Sequence, residues 1–443
     1  MAKLMKRLLA LIMVGICTVG FALPACAQAT LDDILKRVEA LERENASLKA
    51  EVMALKEKPA MPAATAQVAA APAAATPAVN FLKTKLDVEM YGFIMAQGSY
   101  ADSDMASSNA PRVAPKENGS SQSEFGMAGN DTRLGFNVKG PDLEDGGKVS
   151  GKIEIDFANS QTATYTPRLR HAYVQLDYPK WAVNAGQNWD IFAPINPSIL
   201  NPDILWGQGN VGYRHPQVHI VNKWGDVWGG KLTSKTGILD TDDVTNENSG
   251  VPVLATYTGY ETKIMGMPAT FGVSGLLGEV EASGDQDHSL WAVAFGMTLK
   301  MTDWLAFKAE GFSGAKLDDF LGGSTLGMTS YLASGLDKKP FRVKGGFAEL
   351  TYNPIKKVEM NLGAGIDMVN DDAFINPVAA PGVGTTSDAS NVYEYNTTTY
   401  TNIKYSLSKE LQVGLEYQYF KTEWVDGSKG DANRIMSAVI YKF

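Results

Sequence analysis

The chain has 443 residues, with 40 Lys and Arg against 49 Asp and Glu, for a formal net charge of -9. An acidic balance of this kind argues against nucleic acid as a partner. Mean hydropathy is -0.14, and past the first residues no uncharged apolar run approaches the roughly 18 residues of a membrane-spanning helix, so helical spanning is excluded; a closed barrel remains open, because only every second residue of its strands meets lipid.

The chain begins as a secretory signal. Lys3, Lys6 and Arg7 precede an apolar stretch from Leu8 to Leu23, and Ala25-Cys26-Ala27 or Ala27-Gln28-Ala29 supplies the small residues of a cleavage site. The signal therefore covers residues 1–27, with Ala29 as the alternative end. Leu23-Pro24-Ala25-Cys26 also invites a lipoprotein reading, but proline is unusual in that motif. Both cysteines, Cys17 and Cys26, lie in this segment, so cleavage after either alanine leaves no disulfide, no thiolate metal site and no covalent haem attachment.

Residues 28–58 follow a heptad pattern, with Leu31, Val38, Asn45 and Val52 at a and Ile34, Leu41, Leu48 and Leu55 at d. This predicts a short parallel coiled coil. The g to e pairs of neighbouring chains all attract: Arg37 with Glu42, Glu44 with Lys49, and Glu51 with Lys56. Exposed pairs contribute only a few tenths of a kcal/mol each, so they set register and orientation more than strength, as does Asn45 at a. Val at a with Leu at d favours two strands in isolation, whereas a barrel can impose three. A single amphipathic helix lying on the protein's own surface is the competing arrangement. Residues 59–82 are rich in Ala and Pro, with Pro59, Pro62, Pro72 and Pro77 interrupting any helix, and predict an extended linker.

From residue 83 to 443 period-2 alternation recurs, and predicts sixteen antiparallel strands near 84–97, 131–139, 148–158, 168–178, 181–189, 217–222, 227–235, 252–261, 268–278, 289–299, 303–313, 341–352, 357–369, 392–405, 411–423 and 433–443. Alternate connections are brief, such as Tyr178-Pro179-Lys180, Lys223 to Asp226 and Asn353-Pro354, while the others are generally long and polar. That asymmetry belongs to outer-membrane barrels, with short periplasmic turns and long outer loops. Trp181, Trp224, Trp228 and Trp304 fall beside short turns, where an interfacial girdle would lie. In the last strand Ile435, Val439, Tyr441 and Phe443 share one face, which suits lipid, and Arg434 and Lys442 take the other. A soluble sandwich with one solvated face is the alternative. The expected fold class is thus an all-β transmembrane protein, a sixteen-stranded outer-membrane barrel preceded by a periplasmic coiled coil.

The third outer connection, Asp190 to Pro216, stands apart. It holds Pro194, Pro197, Pro202, Ile204, Leu205 and Trp206 but only three charges, Asp190, Asp203 and Arg214. So apolar a loop is poorly suited to solvent and is expected to fold inward as a constriction, with packing over the mouth or on a neighbouring subunit as the alternative. Basic groups gather near it: Arg133, Arg168, Arg170, His171, Arg214, His215 and His219. Guanidinium forks in a confined aqueous space bind carboxylate or phosphate. Internal pairing with Glu154, Asp156 and Asp177 is the competing use, since acids and bases balance over residues 130–223.

Asn130-Asp131-Thr132-Arg133-Leu134-Gly135-Phe136, Pro167-Arg168-Leu169-Arg170-His171-Ala172-Tyr173-Val174-Gln175-Leu176, Ala185-Gly186-Gln187-Asn188-Trp189 and Arg214-His215-Pro216-Gln217-Val218 resemble the DcaP-like porins. The order of signal, coiled coil, linker and barrel is also similar to theirs, and the motif matches lie mainly in the first half of the barrel. The resemblance implies a trimeric sixteen-stranded outer-membrane channel for small, often anionic, organic solutes, with Arg133, Arg168, Arg170 and Arg214 at the pore.

The expectation is therefore a passive diffusion channel in the outer membrane of a Gram-negative bacterium. His171 and His215 join those arginines as pore candidates, Asp190, Pro194, Asp203 and Trp206 mark the constriction loop, and no cofactor, metal site or catalytic residue is expected. Expected partners are two further copies of the chain, outer-membrane lipid and lipopolysaccharide, small anionic solutes such as carboxylates, and the barrel-assembly machinery that reads the terminal strand. The rival class is a structural tether whose barrel anchors the coiled coil. An enzyme has little support, because no nucleophile motif accompanies the scattered Ser and His residues.

Overall fold

A computed structural model describes residues 87–105, 110–117, 122–158, 165–241, 250–282, 286–323, 340–369 and 392–443, with backbone alone for 280–282 and 286–288. The expected signal, coiled coil and linker, with Arg37, Glu42, Glu44, Asn45, Lys49, Glu51 and Lys56, lie outside the described residues, as does most of the acidic run Asp240 to Glu247.

Among the described residues, seventeen segments form a single antiparallel sheet. They are β1 (Asp87–Ala101), β2 (Glu124–Ala128), β3 (Arg133–Asp142), β4 (Lys148–Asp156), β5 (Arg168–Asp177), β6 (Trp181–Trp189), β7 (Arg214–Val227), β8 (Gly230–Leu239), β9 (Val253–Ile264), β10 (Met267–Ala282), β11 (Gln286–Lys300), β12 (Leu305–Ala315), β13 (Arg342–Ile355), β14 (Val358–Val369), β15 (Tyr393–Ser406), β16 (Leu411–Trp424) and β17 (Lys429–Lys442). β2 and β3 share one edge of β1: Gln97–Ala101 pair with Glu124–Ala128, and Asp87–Phe93 with Arg133–Lys139. The sheet thus has sixteen positions. It closes where β1 meets β17, from Phe93 opposite Lys442 to Ala101 opposite Arg434. Gly92 and Phe443 exchange backbone hydrogen bonds of 3.0 and 3.1 Å at the end of that seam. Closure leaves no free sheet edge, which is what a lipid environment demands of strands.

The two faces are inverted relative to a water-soluble sheet. On β14, Leu362 is 57% exposed to the outside, while Asn361 and Asp367 are fully enclosed. The closing strand follows the same rule, with Ile435, Val439 and Tyr441 outward and Arg434 enclosed. A single closed sheet with apolar residues outside excludes the two-layered soluble alternative.

Every second connection is tight. Trp228-Gly229 and Met265-Gly266 make two-residue hairpin turns with positive φ at both positions (50° and 81°, 52° and 82°), where only the second residue is the customary glycine. Lys223 to Asp226, expected as a turn, belongs instead to β7. Its Gly225 (φ 82°) sits at a register shift between Lys223 and Gly225, so a bulge mimics turn composition inside a strand. Trp224, Trp228 and Trp304 stand exposed at this tight-turn end.

The interior is not uniformly polar. Inward residues of β8–β14, among them Leu239, Val253, Leu276, Leu290, Phe312 and Val343, pack against Ile191, Phe192 and Val211 of the β6–β7 connection and against Leu317 and Phe320 of the segment after β12. Burial of this apolar surface holds both connections inside the barrel. That side of the lumen is packed toward the long connections, with a smaller cavity of about 330 Å³ at its tight-turn end beside Thr270, Thr298 and Lys308, and the larger open space lies along β1–β7 and β15–β17.

Candidate functional site

A cavity of about 1600 Å³ extends along that open side, from Tyr393 and Trp424 near the long connections to Gln412 and Lys442 near the tight turns. Its wall includes Arg133, Arg168, Arg170, Arg214, His215, Asp203 and Trp206. Seven of the expected site residues therefore meet around one space.

How Arg168, Arg170 and His171 come together depends on a bulge. Strict alternation would send Arg170 and His171 to opposite faces. The register between β4 and β5 instead shifts, with Glu154 opposite His171 and Ile155 opposite Leu169, so Arg170 is the extra residue. Both Arg170 and His171 are then enclosed, and Leu169 and Val174 both face outward. His171 sits behind the cavity wall, its Nε2 3.7 Å from Glu154 Oε1 and its ring tilted against Trp189.

Two wall carboxylates absorb most of the positive charge on β5. Arg170 Nε donates to Glu154 Oε1 at 2.7 Å and its Nη1 to Asp156 Oδ2 at 2.7 Å. Arg168 makes a fork on Asp156, Nε to Oδ1 at 2.9 Å and Nη2 to Oδ2 at 2.7 Å. Glu154 also accepts the Tyr91 hydroxyl at 2.7 Å. Arg133 Nε lies 3.4 Å from Glu154 Oε1 without making a hydrogen bond, and its guanidinium sits over the Phe93 ring. Pairing with Glu154 and Asp156 is thus real, whereas Asp177 is far along the strand and pairs with Lys223.

Arg214 differs from the other three. It is 2% exposed and makes no ion pair among the described residues, and neither Nη1 nor Nη2 has a hydrogen-bond partner. Aromatic faces surround it instead, with Tyr213 at 4.4 Å, Trp189 at 4.6 Å and Trp206 at 5.8 Å from the guanidinium carbon. Cation–π contacts of this kind contribute about 0.5–2 kcal/mol each and leave the N–H donors unsatisfied. His215, next along β7, is occupied: its Nδ1 is 2.8 Å from Asp190 Oδ1, and Asp190 Oδ2 accepts the Tyr213 N–H at 2.7 Å. Asp190 therefore ties together the two roots of the β6–β7 connection. Pro194 is exposed and lies off the cavity wall.

That connection crosses the lumen and is held by its backbone. Ala193 N–H donates to Ser274 Oγ on β10 at 3.1 Å and Ile195 N–H to Glu310 on β12 at 3.3 Å. Ser198 N–H reaches Glu349 on β13 at 2.5 Å, and Leu200 and Asn201 N–H share Glu416 on β16 at 2.6 and 3.0 Å. Lys404 Nζ and Asn402 Nδ2 donate to the Ser198 carbonyl at 2.8 and 3.0 Å. On the return, Gly209 (φ 115°) lies so close to Gly346 and Ile366 of the wall that a Cβ there would overlap their backbone. Glu310, Glu349 and Glu416 were not singled out from the sequence. As lone acids at inward positions they look the same as pore-facing charges.

Arg112 is the other residue that sequence reasoning missed. It comes from the β1–β2 connection and forms a fork with Asp203, Nε to Oδ2 at 2.5 Å and Nη2 to Oδ1 at 3.1 Å. Burial acts to lower its pKa, but the adjacent Asp203 carboxylate outweighs this and holds it above the ordinary arginine value. Among the described residues no group of three or more His, Cys, Asp or Glu has the arrangement of a metal site.

Comparison with known proteins places this geometry. A family model described as Gram-negative porin matches residues 60–426. The outer membrane channel DcaP of Acinetobacter baumannii superposes with a TM-score of 0.66 at 22% identity, covering 81% of this chain and 97% of that one. OprB of Pseudomonas putida gives 0.53 at 10% identity, with 80% and 94% covered. An anion-selective porin from Comamonas acidovorans gives 0.52 at 11%, with 81% and 100% covered. At these identities the likeness is one of fold. Comparison with curated protein sequences gives no match.

Proposed function

Since the chain belongs to the Gram-negative porin family, we propose that it forms a passive outer-membrane diffusion channel that prefers small anionic organic solutes such as carboxylates. The observation that carries the preference is Arg214, an enclosed guanidinium on the cavity wall whose terminal N–H groups have no partner. Its terminal nitrogens are shut in among Tyr213, Trp189 and Trp206, so its uncompensated charge acts on a passing carboxylate through the field it projects into the cavity, where a paired arginine projects little. Arg168 and Arg170 are already neutralised by Asp156 and Glu154 and serve as a polarised wall, handing a solute onward by weak, exchangeable contacts. No bond is made or broken in this mechanism, and size exclusion by the inward connection does the rest. Three chains joined by the coiled coil of residues 28–58 in the periplasm complete the proposed assembly, as the attractive pairs at Arg37, Glu44 and Glu51 suggest.

Purified protein in planar bilayers tests this reading. Stepwise conductance is expected, with Arg214→Ala lowering the anion-to-cation permeability ratio. A lack of steps would remove the channel assignment. An unchanged ratio would remove only the role of Arg214.

A further inference from the structure

The β1–β2 connection does not rise clear of the barrel. Its segment Ala110–Glu117 runs from the inward β6–β7 connection to the wall at β15–β17. At the wall, Ala114 N–H donates to Thr422 Oγ1 at 3.1 Å, Glu117 N–H to the Lys429 carbonyl at 2.9 Å, and Lys116 Nζ reaches Asp426 at 3.0 Å. Asn396 Nδ2 donates to the Arg112 carbonyl at 2.8 Å and to that of Gly207 at 2.6 Å, bracketing the two connections from below. At the other end the Asn201 and Gln208 amides reach the Pro111 carbonyl at 3.5 and 3.3 Å. The neutral contacts among these, with the peripheral Lys116–Asp426 pair, fix the backbone of the strap. The Arg112–Asp203 pair is different, because it faces the open space: the Arg112 side chain is 33% exposed and that of Asp203 11%, and both line the cavity with Arg168 and Tyr213.

Among the described residues, Arg112–Asp203 is the one ion pair between the β1–β2 and β6–β7 connections. Its geometry is a planar fork on a carboxylate, the arrangement that an incoming carboxylate reproduces and a spherical anion does not. Because the partners carry opposite charge, loss of either one unmasks the other at the same place in the passage. We propose that Arg112 and Asp203 form a carboxylate-exchange latch, in which a permeating carboxylate replaces Asp203 on the guanidinium and frees the two side chains to swing out of the passage, while the strap's backbone stays in place. The pair then sets both the width of the passage and the sign of its charge preference. This rests on the channel reading above and adds to it a second selecting element, separate from Arg214.

The test compares unmodified protein with Arg112→Gln, with Asp203→Asn, and with the charge swap Arg112→Asp plus Asp203→Arg. Each is reconstituted in planar bilayers after a heat-dependent gel shift shows a folded barrel. Both single variants are expected to conduct in larger steps than the unmodified protein, and their permeability ratios are expected to move in opposite directions. Asp203→Asn shifts toward anions and Arg112→Gln toward cations, by about fivefold each, the factor that about 1 kcal/mol of charge interaction produces. The charge swap keeps the pair and keeps the original step size. Step size in potassium acetate, corrected for bulk conductivity, should exceed that in potassium chloride for the unmodified protein, and Arg112→Gln should lose the difference. Same-direction shifts, a swap with the enlarged steps of the single variants, or an acetate effect that survives Arg112→Gln would each overturn the latch. If the single variants fail to fold, the swap and the acetate comparison on unmodified protein decide alone. Absence of steps from the unmodified protein would instead refute the channel reading.

Discussion

The two sides of the barrel interior use the same inward strand positions for opposite purposes. On the β3–β5 side, carboxylates and guanidinium groups meet each other across neighbouring strands: Glu154 and Asp156 face Arg168 and Arg170 beside open water. On the β10–β16 side, Glu310, Glu349 and Glu416 each turn at least one carboxyl oxygen to a backbone N–H of a connection that crosses the lumen. A charge inside a barrel is therefore not by itself a pore charge. What it hydrogen-bonds decides whether it meets solute or scaffolds the element that narrows the passage.

That contrast can be broken from either side, and the largest effect is expected at Arg170. Arg170→Ala leaves Glu154 and Asp156 enclosed with less compensation, a change that destabilises by about 3–5 kcal/mol when a buried pair is broken. A marked fall in the temperature of the gel-mobility shift, together with a shift toward cations, is the expected outcome. Glu416→Ala comes next. It removes the acceptor of two backbone N–H groups and of the Asn402 amide, and a typical intramolecular hydrogen bond contributes about 0.5–1.5 kcal/mol net. The unseated connection should enlarge the single-channel step and make it noisier, while the charge preference set on the opposite wall stays put. A changed preference with an unchanged step would reverse the assigned roles of the two walls. Arg214→Ala should be the mildest for the fold. It removes an unmatched enclosed charge, so thermal stability holds or rises, and only the permeability ratio falls. If this variant destabilised as Arg170→Ala does, the division between paired and receptive arginines would fail.

Much of the wall was legible in the chain because lipid imposes a two-residue period. Val358 to Val369 and Arg434 to Phe443 alternate without interruption, and their faces emerge as expected. The inward course of the β6–β7 connection was legible for a related reason, since Pro194 to Trp206 offers too few charges for exposure. Its end was not placed well: Arg214, His215 and Pro216 belong to β7 and pair with Trp189, Asn188 and Gln187. β2 escaped notice because five residues, Glu124–Ala128, are too few for alternation to stand out from a long loop. The bulges at Arg170 and Gly225 were equally hidden, since each trades one register for another at a single residue. Arg112 gave no signal at all. It is one arginine between two prolines, and its importance comes from Asp203, 91 positions away.

If one unmatched arginine outweighs a wall of matched charges, the passage favours anions. The zero-current potential of the unmodified protein, measured across a bilayer with a potassium chloride gradient and then with a small dicarboxylate added, tests it most directly. The expected result is a potential of the sign set by chloride permeation, and a reduced chloride current once the dicarboxylate competes. A potential of the opposite sign, indifferent to the dicarboxylate, would contradict it.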